Sequence, residues 1–435
     1  MEKRFPARFG HGGETLSLAI TGDTMITRPL SIYDEENYLA LIEILRSNDI
    51  AYTNFEMLLH NYTSYPLKSD HIGTYMRAHP SIAKELIWAG FNLVSCANNH
   101  AGDFGPDATL ETIKHLEEAG LVHAGTGKNL SEAREPKCLD TAKGRIALIS
   151  ICSTFKPYER ASKQKGAIKG RPGLNPLRFK TKYEITEKSM EDLRDLSESL
   201  DLKTPAYIKL EENDFYFLGN IFVVKEEPNI CTLPDQRDVQ GNIKSIKDAK
   251  SMADWTLVAF HSHESGRQKE EPANFMRTFS RACIEAGADI IIGHGSHVLR
   301  GIEIYKGKPI FYSLGNFIGH NEYVERLPSD AYEIWGLDFE ATAEDFHAKR
   351  FGILPPDDPA WWESIVATIK YEKRVPKEIL LYPITLGYGS KRPTRGRPML
   401  ADLDLGNEIL EYLSKLSTPF GTEIQVEKGV GKVKL

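Results

Sequence analysis

The chain has 435 residues; 54 lysines and arginines against 61 aspartates and glutamates leave a formal net charge of −7, with 41% apolar and 26% charged residues. This is ordinary globular composition and excludes disorder over most of the chain. Mild acidity offers no broad positive field to a phosphate backbone, so nucleic acid is not an expected partner. The length suits one large α/β domain with insertions, or two domains.

The N-terminal stretch MEKRFPARFGHGGETLSLAITGD is partly basic, lacks a long apolar segment and leads into a strand. No run approaches the roughly 18 apolar residues of a membrane span, so neither a signal peptide nor membrane insertion is expected. TLSLAIT (15–21) predicts a buried strand, 37–49 a helix, and 49–55 a second strand. Ser81 could cap a helix over 81–90 that Gly90 ends. A third strand covers 92–98. A helix follows over 106–119, opened by Pro106 and closed by Gly120, with strands at 121–127 and 144–150. This βαβ rhythm implies a layered sheet with helices outside. It breaks over 156–250, read as an insertion or cap with a charged helix at 185–202 and a strand at 215–225. The core resumes with a strand at 255–261, a helix at 274–287, a strand at 288–294, and a hairpin over 301–317 turning at Lys306 and Gly307. Residues 319–376, rich in Trp, Pro and Asp, read as a second insertion, with Trp361, Trp362, Pro355 and Pro356 as a lid or an apolar anchor. A strand at 378–387 and a helix at 405–417 close the chain. The expected units are thus 1–155 and 251–318 as two halves of the core, 156–250 and 319–376 as insertions, and 377–435 completing the core.

Five cysteines, at 96, 138, 152, 231 and 283, form no CxxC pair, and three lie in apolar runs. They read as buried, reduced thiols, in keeping with a cytoplasmic location.

Polar clusters fall at the C-terminal ends of five expected core strands: Gly22 and Asp23; Asn54 and Glu56; Asn98, Asn99 and His100; His261, Ser262, His263 and Glu264; and Gly293, His294, Ser296 and His297. Taken singly, each has a plain structural reading as a turn, a helix cap, a solvated strand end or a hydrogen-bonded core imidazole. Taken together, they predict one crevice outside the carboxyl ends of the strands. Period two points His261 and His263 to one side. Carboxylates, an amide oxygen and imidazoles suit a divalent transition metal, with Mn, Zn or Fe expected in one or two ions. There is no Walker or Rossmann glycine cradle and no GxSxG elbow.

ITGDTM (20–25), NFEMLL (54–59), VSCANNHAGDFG (94–105), HAGTGKNLSEAREP (123–136), GADIIIGHGSHVLRGIEIYKGKPIFYSLGNFI (287–318) and RGRPMLA…LSTPFGT (395–422) resemble the bacterial capsule-synthesis CapA (poly-γ-glutamate biosynthesis) family of the calcineurin-like metallophosphatase superfamily. The resemblance implies a four-layer α/β fold: two mixed β-sheets packed face to face, helices outside, plus the insertions. It implies a metal centre to which Asp23, Asn99, His261, His294 and His297 contribute, with Glu56 standing where related phosphatases bridge two ions by an aspartate. His100 matches the neighbouring histidine that assists catalysis. The sequence departs from the superfamily in three places. Residues 21–25 read Thr-Gly-Asp-Thr-Met where phosphatases have Asp-x-His, the closing histidines are three apart, and Glu264 is an extra carboxylate.

Three functions follow as alternatives. A metal-dependent hydrolase would use activated water on an amide, peptide-like or ester substrate bearing carboxylates, with His100 as proton donor and Asp103 orienting it. Asp103 could equally be an N-cap. A metal-assisted peptide epimerase would use Glu264, His263 or His100 as acid and base. A non-catalytic component of poly-γ-glutamate capsule synthesis is the third. Arg28, Arg77 and Lys128 are candidate grips for a substrate carboxylate, with surface ion pairs as the alternative, and Ser153 and Asn316 are candidate pocket walls. The expected partner is a small-molecule or peptide-like substrate, and a homo-oligomer is compatible with the sequence.

Overall fold

The computed structural model describes residues 14–67, 73–353 and 358–435; Pro355 and Pro356 fall outside them. The strands Thr15–Met25, Ile50–Phe55, Leu93–Ser95 and Val122–Ala124 run parallel in one sheet. That sheet continues antiparallel through Glu363–Glu372, Val375–Thr385 and the hairpin Ile424–Glu427/Val430–Val433. A second, six-stranded sheet has Gly144–Cys152, Trp255–His261, Ile290–His294 and Lys308–Leu314 parallel at its centre. Antiparallel strands Lys137–Thr141 and Leu299–Tyr305 form its edges.

Alternation explains the layers. Leu16, Leu18 and Ile20 share one buried cluster with Ile146, Leu148, Leu257, Ala259, Ile290 and Ile292, so the two sheets face each other. The intervening residues point outward: Ala19, Ala51 and Val94 meet the helices Glu36–Arg46 and Ile82–Ala89, whereas Ala147, Ile149, Val258 and Ile291 meet Gln236–Met252 and Asn274–Ala286. The result is the expected four-layer arrangement of helix, sheet, sheet and helix. The hairpin turns where expected, with Lys306 and Gly307 both at positive φ.

Several expectations need correction. The stretch 319–376 is not wholly an insertion, because Glu363–Glu372 is a core strand beside Thr15–Met25. Its alternation was masked by the Trp/Pro/Asp-rich residues before it. The helix Gln236–Met252, inside the expected 156–250 insertion, covers the second sheet through Ile246 and Ala249. What remains of that insertion is a four-stranded sheet with the helix Glu187–Ser199, and 215–225 is a hairpin rather than one strand. Ser81 does not cap its helix; its hydroxyl bonds His79 instead. The terminal hairpin 424–433 was not foreseen. Cys96, Cys152 and Cys283 are buried, and all five thiols are free. Among the described residues no helix is long and apolar enough to cross a membrane.

The insertion rejoins the core through Asp238, which is 1% exposed. Its carboxylate accepts from Arg134 Nη2 at 2.7 Å, and from Arg178 Nε at 2.6 Å and Nη2 at 2.9 Å. Burial opposes the charge on Asp238, but the Arg178 hydrogen bond outweighs it and holds the carboxyl below its usual range. Its contribution is therefore complete above an ordinary carboxylate pKa of about 3.9 and is lost as pH falls through the lowered value. Asp238→Ala, which strands two partly buried guanidinium groups, is expected to cost about 3–5 kcal/mol in urea unfolding. Asp238→Asn should flatten the acid limb of the stability profile. Wild-type-like urea midpoints in both variants would refute this anchoring role.

Candidate metal centre

Register brings the polar clusters to one rim. In the first sheet Asp23 lies opposite Asn54 on one side and Asn316 on the other, and Asn54 lies opposite Ser95. In the second sheet His261 lies opposite both His294 and Cys152. Asp23, Asn54, Ser95, His261, His294 and Cys152 sit toward the carboxyl ends of parallel strands, and Asn316 opens the short strand beside Asp23. Gly22 permits the close approach of the first strand, since a Cβ there would lie 1.9 Å from the Gly315 carbonyl oxygen.

Asp23 and Glu56 are fully buried. Asp23 Oδ1 accepts from Asn54 Nδ2 at 2.7 Å, and Oδ2 accepts from the Gly295 N–H at 3.0 Å. Asp23 Oδ1 also lies 3.7 Å from the Nδ1 atoms of His261 and His294, and Oδ2 lies 3.5 Å from His297 Nδ1. Glu56 Oε1 stands 3.9 Å from His100 Nε2, 3.9 Å from His261 Nε2 and 3.8 Å from His297 Nε2. His261 Nε2 is 2.9 Å from Asn99 Oδ1 and 3.1 Å from His263 Nε2. Two donor triads result. Asp23, Glu56 and His261 each offer an atom within 4.8 Å of the other two, and Glu56, His263 and His297 do likewise. The structure thus brings His263, expected as an acid or base, into the donor set itself.

The electrostatics suit a cation. Burial pushes His261 down to about 3 and His294 to about 4, and lowers His263 well below its usual value, so these rings are neutral at neutral pH. Burial opposes the charge on Asp23, but the influences led by its hydrogen bond with His297 outweigh it and hold its carboxyl well below the usual range. Neutral imidazole and ionised carboxylate are the ligating forms. His294 Nδ1 is buried without a hydrogen-bond partner and faces Asp23, an orphaned lone pair or N–H that a bound metal would account for.

Supporting residues orient the donors. Tyr52 OH meets His294 Nε2 at 2.9 Å and Ser95 Oγ at 2.7 Å. Asn316 Oδ1 lies 2.8 Å from His297 Nδ1, and its Nδ2 donates to the Trp361 carbonyl at 2.9 Å. His297 itself has φ 57°, a left-handed backbone uncommon for histidine and typical of functional loops. His100 Nδ1 is 2.6 Å from Asp103 Oδ2, which also accepts from the Met76 N–H at 2.7 Å. Asp103 therefore orients His100 and is not the N-cap of the helix Gly105–Ala119, whose cap position is Phe104. Asn98 ties this loop to the Phe55 carbonyl. Tyr52 was not foreseen; the signal for it was a polar group at period two from Asn54 on the same strand.

Other expected residues lie apart from the donors. Glu264 accepts from the hydroxyls of Ser153, Thr154 and Ser262 at 2.6–2.9 Å. Arg77 donates to the His60 carbonyl at 2.5 Å and covers the Tyr62 ring. Lys128 is exposed beside the short helix Leu130–Arg134. Arg28 stacks on Tyr323 at 3.6 Å from its centroid, in a separate cavity. Trp362 is buried and Trp361 packs on the core, an anchor rather than a lid.

The profile described as "Bacterial capsule synthesis protein PGA_cap" matches residues 17–321. The chain belongs to this capsule-synthesis family. The "Uncharacterized protein y4sH" of Sinorhizobium fredii is 34% identical over 96% of this chain and 93% of its own length. The "Capsule biosynthesis protein CapA" of Bacillus anthracis is 25% identical over 70% of this chain and 60% of its own, and the "PGA biosynthesis protein CapA" of Bacillus subtilis is 25% identical over 71% and 64%. Among solved structures, the NAD nucleotidase NadN of Haemophilus influenzae matches at TM-score 0.30 and 9% identity, covering 93% of this chain and 56% of that one. The fold assignment rests on the layers above and not on that match. The family-matched span holds every donor at the rim, from Asp23 to His297.

Removing an orienting partner should weaken metal binding without unfolding the chain. Asn316→Ala and Tyr52→Phe are each expected to lower affinity for a divalent ion about 10–100-fold. Calorimetric titration of chelator-treated protein with Mn2+ or Zn2+ reads this directly, and wild-type affinity in both variants would contradict the orienting roles.

Proposed function

We propose that this chain is a metal-dependent hydrolase acting on an amide, peptide-like or ester substrate that carries carboxylates. The observation that carries the proposal is the buried, compact donor set in which Glu56 belongs to two triads. Asp23, Glu56 and His261 would hold one ion, with His294 Nδ1 facing the same carboxylate and the Asn99 oxygen beside His261, and Glu56, His263 and His297 would hold a second. The donors are oxygen and imidazole, which suits Mn, Zn or Fe. When bound, a divalent ion supplies Lewis acidity toward a carbonyl and makes water more acidic near neutral pH.

The chain's own residues supply the rest. His100, fixed through Nδ1 by Asp103, turns Nε2 toward the Glu56 side of the rim. There it can protonate a departing amine or alcohol, or donate to a developing oxyanion. The Asp103 carboxylate holds the tautomer with the proton on Nδ1 in the neutral ring, and stabilises the imidazolium when Nε2 is also protonated. Glu264, the carboxylate that an epimerase would use for proton exchange, is committed to three hydroxyls, which favours hydrolysis. The relatives named for capsule and PGA biosynthesis support an acidic polymer amide as the substrate class.

The test incubates Mn2+- or Zn2+-loaded protein with short oligomers of glutamate joined through side-chain amides and measures amine release. Release should vanish on chelation. His100→Asn should lower kcat about 10²–10⁴-fold while bound metal is retained. Deuterium entering an uncut oligomer in heavy water would overturn hydrolysis in favour of epimerisation.

A further inference from the structure

The strand Trp255–His261 ends on one donor, and the next donor, His263, lies two residues past it. Up to Ser262 the backbone is set by the neighbouring strands. The Ser153 N–H donates to the His261 carbonyl at 3.0 Å, and the Ser262 N–H donates to the His294 carbonyl at 2.8 Å. His263 is beyond that support, yet its ring is closely placed. Its Nε2 lies 3.1 Å from His261 Nε2, and the ring stands edge to face with His297 at 5.2 Å between centroids. Gly295 leaves room for it, since a Cβ there would lie 2.9 Å from His263 Cδ2.

The peptide unit that joins Ser262 to His263 is gripped at both ends. Its carbonyl, on Ser262, accepts from Arg300 Nη1 at 3.4 Å. Its N–H, on His263, donates to Thr154 Oγ1 at 2.8 Å. Arg300 is fully buried, and its Nε donates to the Lys269 carbonyl at 3.0 Å, which ties down the loop that follows Glu264. A threonine hydroxyl carries one hydrogen, so an Oγ1 that accepts from an N–H gives that hydrogen to a second partner. Here the partner is Glu264, whose two carboxylate oxygens each lie 2.9 Å from Thr154 Oγ1. Glu264 Oε2 also accepts from Ser153 Oγ at 2.6 Å and from Ser262 Oγ at 2.7 Å. Hydrogen bonds to an ionised acceptor are the stronger kind, so Glu264 fixes the rotation of the hydroxyl whose lone pair holds His263.

We infer that Thr154, Glu264 and Arg300 are positioning residues for His263, which aim its ring by pinning the peptide plane before it. This rests on the two-ion reading of the donor set. It adds that the second ion, at Glu56, His263 and His297, depends on a support that the first, at Asp23, Glu56 and His261, does not share. Asp23 is set by Asn54 and the Gly295 N–H, and His261 by its strand neighbours. A swing of the Ser262–His263 peptide plane carries the His263 ring away and leaves those bonds in place.

Calorimetric titration of chelator-treated protein with Mn2+ tests this, with electron paramagnetic resonance at two equivalents as a second readout. Wild type should take up two ions, and two ions sharing the Glu56 carboxylate should give an exchange-coupled spectrum. Thr154→Val keeps the shape of the side chain and loses both hydrogen bonds. It should bind the first ion with wild-type affinity and the second about 10–100-fold more weakly, with the coupled spectrum replaced by that of isolated Mn2+. Glu264→Ala should do the same, and Thr154→Ser, which keeps the hydroxyl, should restore the second ion. Wild-type affinity for the second ion in Thr154→Val overturns the inference and leaves the two-ion reading standing. Equal weakening of both ions also overturns it, because that is general damage to the rim. A wild type that takes up fewer than two Mn2+ ions removes the two-ion reading and this inference with it.

Discussion

A carboxylate with no solvent exposure needs compensating charge or donors around it, and Glu56 is the point where this structure meets that demand. Three imidazoles, from His100, His261 and His297, converge on its Oε1 within 4 Å. They come from three separate strand ends, so the carboxylate and its surroundings exist only when both sheets are packed. Burying an uncompensated carboxylate is costly enough that such a group would ordinarily be expelled or protonated. The burial of Glu56, the imidazoles around it and the orphaned His294 nitrogen are what a cation at the rim would account for.

The layers make that convergence possible. Each sheet alone ends in a row of polar side chains, Asn316, Asp23, Asn54 and Ser95 in one and Cys152, His261 and His294 in the other. Neither row holds a metal-binding set by itself. The inward faces of Leu16, Leu18 and Ile20 against Leu148, Leu257 and Ile292 set the sheets face to face and bring the rows together. A one-residue slip in any of these strands would turn its core face outward and carry its donor away from the rim. The hydrophobic pattern and the chemistry are thus read from the same register.

Around the donors, the supporting residues divide the work by element. Tyr52 and Asn54 reach up from the first sheet, Asn316 from the short strand beside Asp23, and Asp103 from the loop before a helix. The left-handed backbone at His297 is a local cost borne where it aims a ring at two carboxylates. Glu264 shows the opposite case. It is next to the donors in sequence, but it lies past the end of the strand Trp255–His261, where the hydroxyls of Ser153, Thr154 and Ser262 take up its carboxylate.

The βαβ rhythm, most core strands, the hairpin at Lys306 and Gly307, and the placing of Asp23, Asn99, His261, His294 and His297 at strand ends were legible in the chain alone, because alternation and strand-end placement are local properties. The same local logic misplaced the strand Glu363–Glu372, hidden behind an irregular stretch, and missed the terminal hairpin, whose short strands pair with the sheet edge and pack Val433 into the core. Tertiary structure alone decided which polar residues face the rim. His263 joined the donors, Asp103 turned to His100 instead of capping a helix, and Arg77 and Glu264 were taken up by local partners. The donor set depends on contacts between residues far apart in the chain, such as His261 with Asn99 and Tyr52 with His294, which form only when the two sheets close on each other.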